Sequence, residues 1–230
     1  MVMEILSGRE ILSIVGELKA PGPDAMLALF YRKYYHIVGE QITKKISTFL
    51  NGGEMPQGWN ETAVVLIPKV IEPERIKDPR PISLCNVVDK IASKVLANRL
   101  KNVLLEVISL KQSAFILGRL ISDNILLAHE IVHHMKTKRR GRNNNAALKF
   151  DTSKAYDRVE WIFLERMMLK MGFEASWVNT IMKCIKYVAY QIKVNGEFTE
   201  KISLSRGLRQ GDPISPYLFL LYVQKDSLVY

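Results

Sequence analysis

One stretch in the second half of the chain constrains the fold and the chemistry more than any other. It reads LKFDTSKAYDRVEW, from Leu148 to Trp161. The apolar run 146–150 predicts a strand that ends on Asp151, and an aromatic residue, Tyr156, follows shortly after. A carboxylate at a strand tip suits a divalent cation that assists phosphoryl transfer, and an aromatic ring can pack flat on a sugar. Alone, the stretch is ambiguous, because Asp151 could also be an acid that caps the next turn.

A second stretch, RGLRQGDPISP from Arg206 to Pro216, gives the first its meaning. Gly207 and Gly211 free the backbone for a tight loop, and Pro213 can start a helix over 214–223. Together the two stretches resemble the A and B blocks of reverse transcriptases, closest to the LINE-type (non-LTR) retrotransposon enzymes of plants. The resemblance extends from Leu18 to about Leu221.

The resemblance implies a set of roles around a nucleotide and its metal ions. By that resemblance, Asp151 is the catalytic residue and binds Mg²⁺, and the main-chain carbonyl of Thr152 is a further ligand. Tyr156 would exclude a ribose 2′-hydroxyl, Gln210 would lie against the sugar of the incoming dNTP, and Gly211 would let the sugar and base approach.

A series of residues upstream, from Trp59 to Asn86, also resembles the family and implies a triphosphate site. Lys69 and Arg80 would bind the phosphates, since Arg offers a planar fork to phosphate oxygens and Lys a point charge. The alternative is that both are ordinary surface charges. Pro79 stands where the family usually has an aromatic residue, which predicts a stiffer approach to Arg80.

Charge favours a polyanionic partner. The chain has 33 basic and 23 acidic residues, a net charge of +10, and the resemblance implies an RNA template and a DNA primer. Arg119 is a candidate template contact. Lys90, Lys94 and Lys101 are predicted on one exposed face of a helix over 86–107, where they could follow a phosphate backbone. The alternatives are a surplus of charge for solubility and a solvated helix face.

A different pattern, HEIVH from His129 to His133, has the HExxH form of zinc hydrolases. It lies in a helix predicted from a cap at Ser122 to about Lys138, with Ile125, Ala128, Val132 and Met135 facing inward. Lys136 and Arg139 occupy the next helical turn, so a third ligand would have to come from elsewhere. A zinc hydrolase is therefore a remote alternative.

The predicted fold class is α+β, with reverse-transcriptase fingers and an incomplete palm of antiparallel strands packed on helices. The predicted division is a helical segment over 1–58, fingers over 59–145 and a partial palm over 146–230. Asn195-Gly196 between β-type runs predicts a hairpin.

The family's C block, an aromatic, Ala and two Asp in a hairpin, has no counterpart before Tyr230. Two-metal phosphoryl transfer needs more than one carboxylate, so we expect the chain by itself to be inactive in DNA synthesis unless a partner chain completes the palm. A non-catalytic nucleic-acid-binding remnant and a pseudogene product stay open.

Two cysteines without a CxxC pattern, Cys85 and Cys184, predict buried thiols in a reducing compartment. No apolar run is long enough to span a bilayer, and the N-terminus lacks a signal-peptide pattern. We therefore expect no membrane association and a nuclear or cytoplasmic location.

Overall fold

The computed structural model describes residues 7–15, 20–75, 77–137, 146–148 and 152–224. Within them, the helices and strands follow one another as α1 (Gly8–Ile14), α2 (Ala28–Lys33), α3 (Tyr35–Leu50), β1 (Glu61–Pro68), β2 (Pro79–Cys85), α4 (Val87–Val107), α5 (Ile121–Thr137), α6 (Trp161–Lys170), α7 (Ala175–Lys186), β3 (Ala189–Val194), β4 (Glu197–Phe198), β5 (Ile202–Ser203) and α8 (Ser215–Val223). A short 3-10 turn, Tyr156–Arg158, precedes α6. The predicted α+β class is confirmed.

The strands form one mixed sheet in the order β2-β1-β3-β4, with β5 also paired to β3. β1 and β2 are antiparallel, with Ile67 opposite Arg80. β1 and β3 are parallel, with Thr62 opposite Tyr190. Within the predicted palm, β3 pairs antiparallel with β4 and β5, as expected. Because β1 lies in the predicted fingers and β3 in the predicted palm, the two regions share a sheet; the division itself stays a prediction.

α4 forms the centre of the hydrophobic core. Ile91, Val95, Leu96 and Leu100 are each at most 1% exposed, and the helix contacts α1, α3 and α8. The predicted helix over 86–107 is confirmed, with Asn86 at its N-cap. Burying an aliphatic side chain of this size contributes about 1.5–3 kcal/mol, so α4 is the element on which the others are anchored.

The predicted hairpin at Asn195-Gly196 is confirmed. Both residues have positive φ, 51° and 93°, as a type I′ turn requires. The turn joins β3 to β4, where Lys193 lies opposite Phe198.

α5 corrects a prediction made from periodicity. No residue of this helix is buried; Ile125 is 65% and Val132 43% exposed, so the expected inward face is wrong. The helix begins at Ile121, which places Ser122 inside it instead of at the cap. The apolar spacing makes one stripe on the helix, but a stripe is buried only where another surface covers it, and the described residues provide none.

The strand predicted before Asp151 falls mainly outside the described residues. Residues 146–148 have no regular secondary structure and are exposed, while Lys149, Phe150 and Asp151 lie outside the described ranges. None of the helices in those ranges combines the length and apolarity needed to cross a membrane.

Candidate nucleotide-binding site

The two sequence blocks meet through the backbone. The amide of Gly207 donates to the carbonyl of Val159 at 2.8 Å, and that of Leu208 donates to the carbonyl of Tyr156 at 3.0 Å. The indole Nε1 of Trp161 donates to the carbonyl of Gly207 at 2.7 Å. Gly207 has φ +98°, a conformation that an L side chain rarely adopts. These bonds hold the loop of the second block against the 3-10 turn of the first.

Three predicted nucleotide-binding residues, Tyr156, Gln210 and Gly211, line one open cleft. Its volume is about 550 Å³, and the other lining residues are Lys154, Ala155, Asp212 and Pro216. The Tyr156 ring packs at 5.1 Å from the ring of Phe219 on α8, and burial raises the pKa of its phenol. The ring is thus a neutral, fixed wall of the cleft. We call this the Tyr156 cleft.

The loop that carries Gln210 and Gly211 covers the free edge of β2. The amide of Ser83 donates to the carbonyl of Gln210 at 3.2 Å, on the side of β2 that does not pair with β1. Gly211 has φ +101°, and a Cβ there would lie 3.5 Å from the Ser83 carbonyl oxygen. The glycine is therefore required by backbone conformation and not by lack of space.

The two predicted phosphate ligands, Lys69 and Arg80, lie at the tip of the β1–β2 hairpin and are exposed. The backbone amide of Lys69 donates to the carbonyl of Asp78 at 2.9 Å, and its Nζ donates to the carbonyl of Lys77 at 3.1 Å. Arg80 is three residues before Ser83 along β2, about 10 Å at the usual strand rise. Pro79, opposite Pro68, is the first residue of the strand, where proline is tolerated.

Beside the cleft lies a buried ionic cluster that sequence reasoning did not anticipate. The Nη1 of Arg209 is 2.5 Å from the Oδ2 of Asp89 on α4, and its Nη2 forms an ion pair with Asp212; all three side chains are at most 2% exposed. Ser93, one turn after Asp89, donates to Asp212. Arg209 also contacts the hydroxyl of Thr62 at 3.4 Å.

Two carboxylates share one guanidinium in this cluster, and this arrangement shifts the pKa values of its members. Burial raises the pKa of Asp89 to about 6; Arg209 opposes this rise and Asp212 adds to it. Burial disfavours the charged form of Arg209, but Asp212 and Asp89 more than offset that cost, so its pKa lies well above the ordinary value. The sequence offers one signal for this cluster, which is that an acidic residue, Asp212, follows Arg209 three positions later.

The described residues do not fit a two-metal site. Asp151 lies outside the described ranges, and Thr152 is exposed. Asp212, which lines the cleft, is paired with Arg209 and accepts a hydrogen bond from Ser93. Within the described ranges, no three His, Cys, Asp or Glu side chains are grouped as metal ligands.

The predicted basic face of α4 is corrected. Lys90, Lys94 and Lys101 are half-buried, not exposed. Lys90 donates to the carbonyl of Ala20 at 3.1 Å, and Lys90 and Lys94 line a narrow crevice between α4 and the N-terminal helices. Lys101 lies 5.5 Å from the ring centroid of Tyr217. The three side chains pack against neighbouring elements because their helix is the centre of the core.

The side chain of Arg119 is also engaged in hydrogen bonds within the chain. Its Nη1 donates to the carbonyls of Ser109 and Gln112 at 2.5 and 2.6 Å, and its Nη2 donates to that of Ile108 at 3.3 Å. The guanidinium thus satisfies carbonyls where α4 ends. Its predicted contact with a template is untested.

The HExxH pattern lies on α5, where His129, Glu130 and His133 are all exposed. No carboxylate, cysteine or histidine in the described ranges joins the two histidines to form a group of three. The zinc-hydrolase alternative therefore has no support from the described residues.

Comparison with known proteins identifies the family. Residues 67–227 match the family model described as "Reverse transcriptase (RNA-dependent DNA polymerase)". The chain is 30% identical over 215 residues to the transposon TX1 uncharacterized 149 kDa protein of Xenopus laevis, which covers 94% of this chain and 16% of that protein.

Two further relatives agree. The chain is 29% identical, over 73% of its length and 23% of the relative's, to the Pol polyprotein from the type-1 retrotransposable element R2 of Popillia japonica. It is 23% identical, over 73% of its length and 18% of the relative's, to the probable RNA-directed DNA polymerase from transposon BS of Drosophila melanogaster. The chain thus spans less than a quarter of the length of these relatives. From the match over 67–227 and the likeness over nearly the whole chain, this protein belongs to the reverse transcriptase family and has relatives among non-LTR retrotransposon proteins.

Proposed function

We propose that this chain is the nucleotide-binding part of an RNA-directed DNA polymerase from a LINE-type retrotransposon, of the plant kind that its sequence blocks resemble. It would act on an RNA template, a DNA primer and dNTPs, in the nucleus or cytoplasm. The observation that carries the proposal is the Tyr156 cleft, which is lined by Tyr156 from the first block and by Gln210 and Gly211 from the second.

The cleft is suited to a deoxyribose. The Tyr156 ring is fixed by its contact with Phe219, so it would exclude an added 2′-hydroxyl by size. Gln210 and Gly211 also line the cleft, and Gly211 would present no side chain to the sugar. Arg80 and Lys69 at the hairpin tip would bind the triphosphate, with Arg80 about 10 Å along β2 from Ser83.

Mg²⁺ belongs to the proposal through the family resemblance. Asp151 and the carbonyl of Thr152 would hold it, and it would supply charge stabilisation for phosphoryl transfer. Asp212 is excluded as a second metal carboxylate by its buried pairing with Arg209. We therefore expect this chain alone not to extend a primer unless a partner chain supplies a further carboxylate.

Nucleotide selection tests the proposal most directly. Binding of dCTP and CTP to the purified chain is measured in Mg²⁺ by equilibrium dialysis. We expect dCTP to be preferred, and Tyr156→Ala to reduce that preference by about tenfold, the factor that 1.4 kcal/mol represents. Tyr187→Ala is the matched control, because Tyr187 is 64% exposed and does not line the cleft. Equal binding of both nucleotides by the unaltered chain would contradict the proposal.

The phosphate assignment is tested in the same assay. Arg80→Gln should weaken dCTP binding by roughly tenfold or more, since hydrogen bonds to charged groups contribute about 1.5–3 kcal/mol. Arg75→Gln, an exposed arginine of the same hairpin, should leave it unchanged. Equal losses of dCTP affinity in both variants would show that Arg80 contributes only a nonspecific charge.

Primer extension on an RNA template, with Asp151→Asn as the control, separates the remaining alternatives. Extension that Asp151→Asn abolishes would overturn our expectation that the chain is inactive alone. Salt-sensitive binding of RNA–DNA hybrid without any dNTP binding would instead select the non-catalytic remnant.

A further inference from the structure

The buried ionic cluster occupies a particular place relative to the Tyr156 cleft. Arg209 and Asp212 directly flank Gln210 and Gly211, the two loop residues assigned to the nucleotide. Both flanking side chains are attached to α4: Arg209 is bonded to Asp89 at 2.5 Å, and Asp212 is bonded by Ser93. The loop is therefore held on both sides of its cleft-lining residues by two positions one turn apart on a single helix.

The same attachment continues into α8. The amide of Ile214, the N-cap residue of α8, donates to the hydroxyl of Ser93 and to Oδ1 of Asp212, each at 3.2 Å. The start of the helix that carries Phe219 is thus set by the same cluster. Because Phe219 packs on Tyr156, the Tyr156 ring as well as the Gln210–Gly211 loop depends on α4.

We infer that Asp89 and Ser93 are positioning residues for the nucleotide site, acting through Arg209 and Asp212. The inference rests on the proposed function for its consequence in nucleotide binding, but its geometric content is independent of that function. Asp89 is remote from the second block in sequence, 120 positions before Arg209. It orients the Gln210–Gly211 loop against β2 without contacting the nucleotide itself.

The position of the Gln210–Gly211 loop can be followed by hydrogen exchange at a single backbone amide. The amide of Ser83 is hydrogen-bonded to the carbonyl of Gln210, so its hydrogen-exchange rate reports whether the loop is in place. The amides of Gly207 and Leu208 bond to Val159 and Tyr156 instead, and they report the part of the loop before the cluster. Helix amides of α6 and α7 report global opening.

The test is residue-resolved hydrogen exchange by NMR on the full chain, comparing the unaltered protein with Asp89→Asn and Ser93→Ala. We expect exchange at the Ser83 amide to accelerate at least about tenfold in Asp89→Asn, because one charge-assisted hydrogen bond is weakened. Gly207, Leu208 and the amides of α6 and α7 should change less than about threefold, after allowance for global stability. Arg206→Gln is the matched control, since Arg206 is an exposed arginine of the same loop that pairs with Glu160.

Each outcome decides the inference. Uniform acceleration of all amides, or no change at Ser83, would overturn it. If Asp89→Asn does not fold, Ser93→Ala is judged by the same Ser83 criterion. In parallel, dCTP binding should weaken in Asp89→Asn more than in Arg206→Gln. A chain that binds no dCTP, yet loses protection at Ser83 in Asp89→Asn, would refute the proposed function while upholding the positioning role.

Discussion

Replacing Arg209 by methionine tests how the buried cluster contributes to stability. Met approximates the length and volume of the arginine stem but removes the cation that Asp89 and Asp212 share. Both carboxylates are at most 2% exposed, so neither can be rehydrated without opening the core. The variant therefore leaves two buried carboxylates without their shared partner.

The expected loss is about 3–5 kcal/mol, the range measured when one partner of a buried ion pair is removed. A domain of this kind has a free energy of unfolding of about 5–15 kcal/mol, so roughly a fifth or more of it would be lost at neutral pH. The loss should come from uncompensated charge and not from a missing contact. The combined variant Arg209→Met, Asp89→Asn, Asp212→Asn should therefore recover about 2 kcal/mol relative to the single change.

Urea unfolding followed by far-UV circular dichroism measures both differences, with equal slopes required for comparison. A loss below about 1 kcal/mol in Arg209→Met would show that the carboxylates are hydrated or protonated in the folded state. A combined variant less stable than the single one would show that charge imbalance is not the cause.

Further predictions concern pH and packing. The folded-state pKa of Asp89 is raised to about 6 from 3.8, so the folded chain binds the proton more tightly. Protonation of Asp89 therefore adds on the order of 3 kcal/mol to the free energy of unfolding below about pH 4, and this contribution is lost as pH rises through about 6. The difference in free energy of unfolding between the unaltered chain and Asp89→Asn, measured in urea at pH 4.5 and 7.5, should show this dependence. A difference that is independent of pH would contradict it. Gly22→Ala should lower the free energy of unfolding by about 3 kcal/mol in the same assay, the upper part of the usual range for overpacking, because its Cβ would overlap the backbone nitrogen of Asn86. Gly52→Ala, where nothing lies within 4 Å but φ is +95°, should lose only the cost of that conformation, about 1–2 kcal/mol; equal losses would mean that the contact at Gly22 relaxes freely.

Most of the secondary-structure elements that were predicted correctly follow from local sequence patterns. The helices over 86–107 and 214–223 and the turn at Asn195-Gly196 depend on periodicity, proline placement and positive φ, which neighbouring residues in the chain set by themselves. The nucleotide-binding assignment of Tyr156, Gln210 and Gly211 came from sequence blocks, and the structure brings these three residues together in one cleft. Their roles stay proposals.

The features that the sequence did not predict depend on contacts between residues far apart in the chain. Nothing near Arg209 in the chain indicates that Asp89, 120 positions earlier, would accompany it into the core, since charged residues are ordinarily exposed. Lys90, Lys94 and Lys101 were predicted on a solvated face for the same reason. The parallel pairing of β1 with β3 likewise joins segments separated by several helices.

The amino-acid sequence by itself determined the local elements, the family and the residues that define the cleft, because each is encoded within a few positions. Only the tertiary structure decided which charges are buried, that the apolar face of α5 is uncovered by the described part of the chain, and how α4 holds the Gln210–Gly211 loop. The physical reason is that burial is a property of two surfaces, and a sequence pattern describes only one of them at a time.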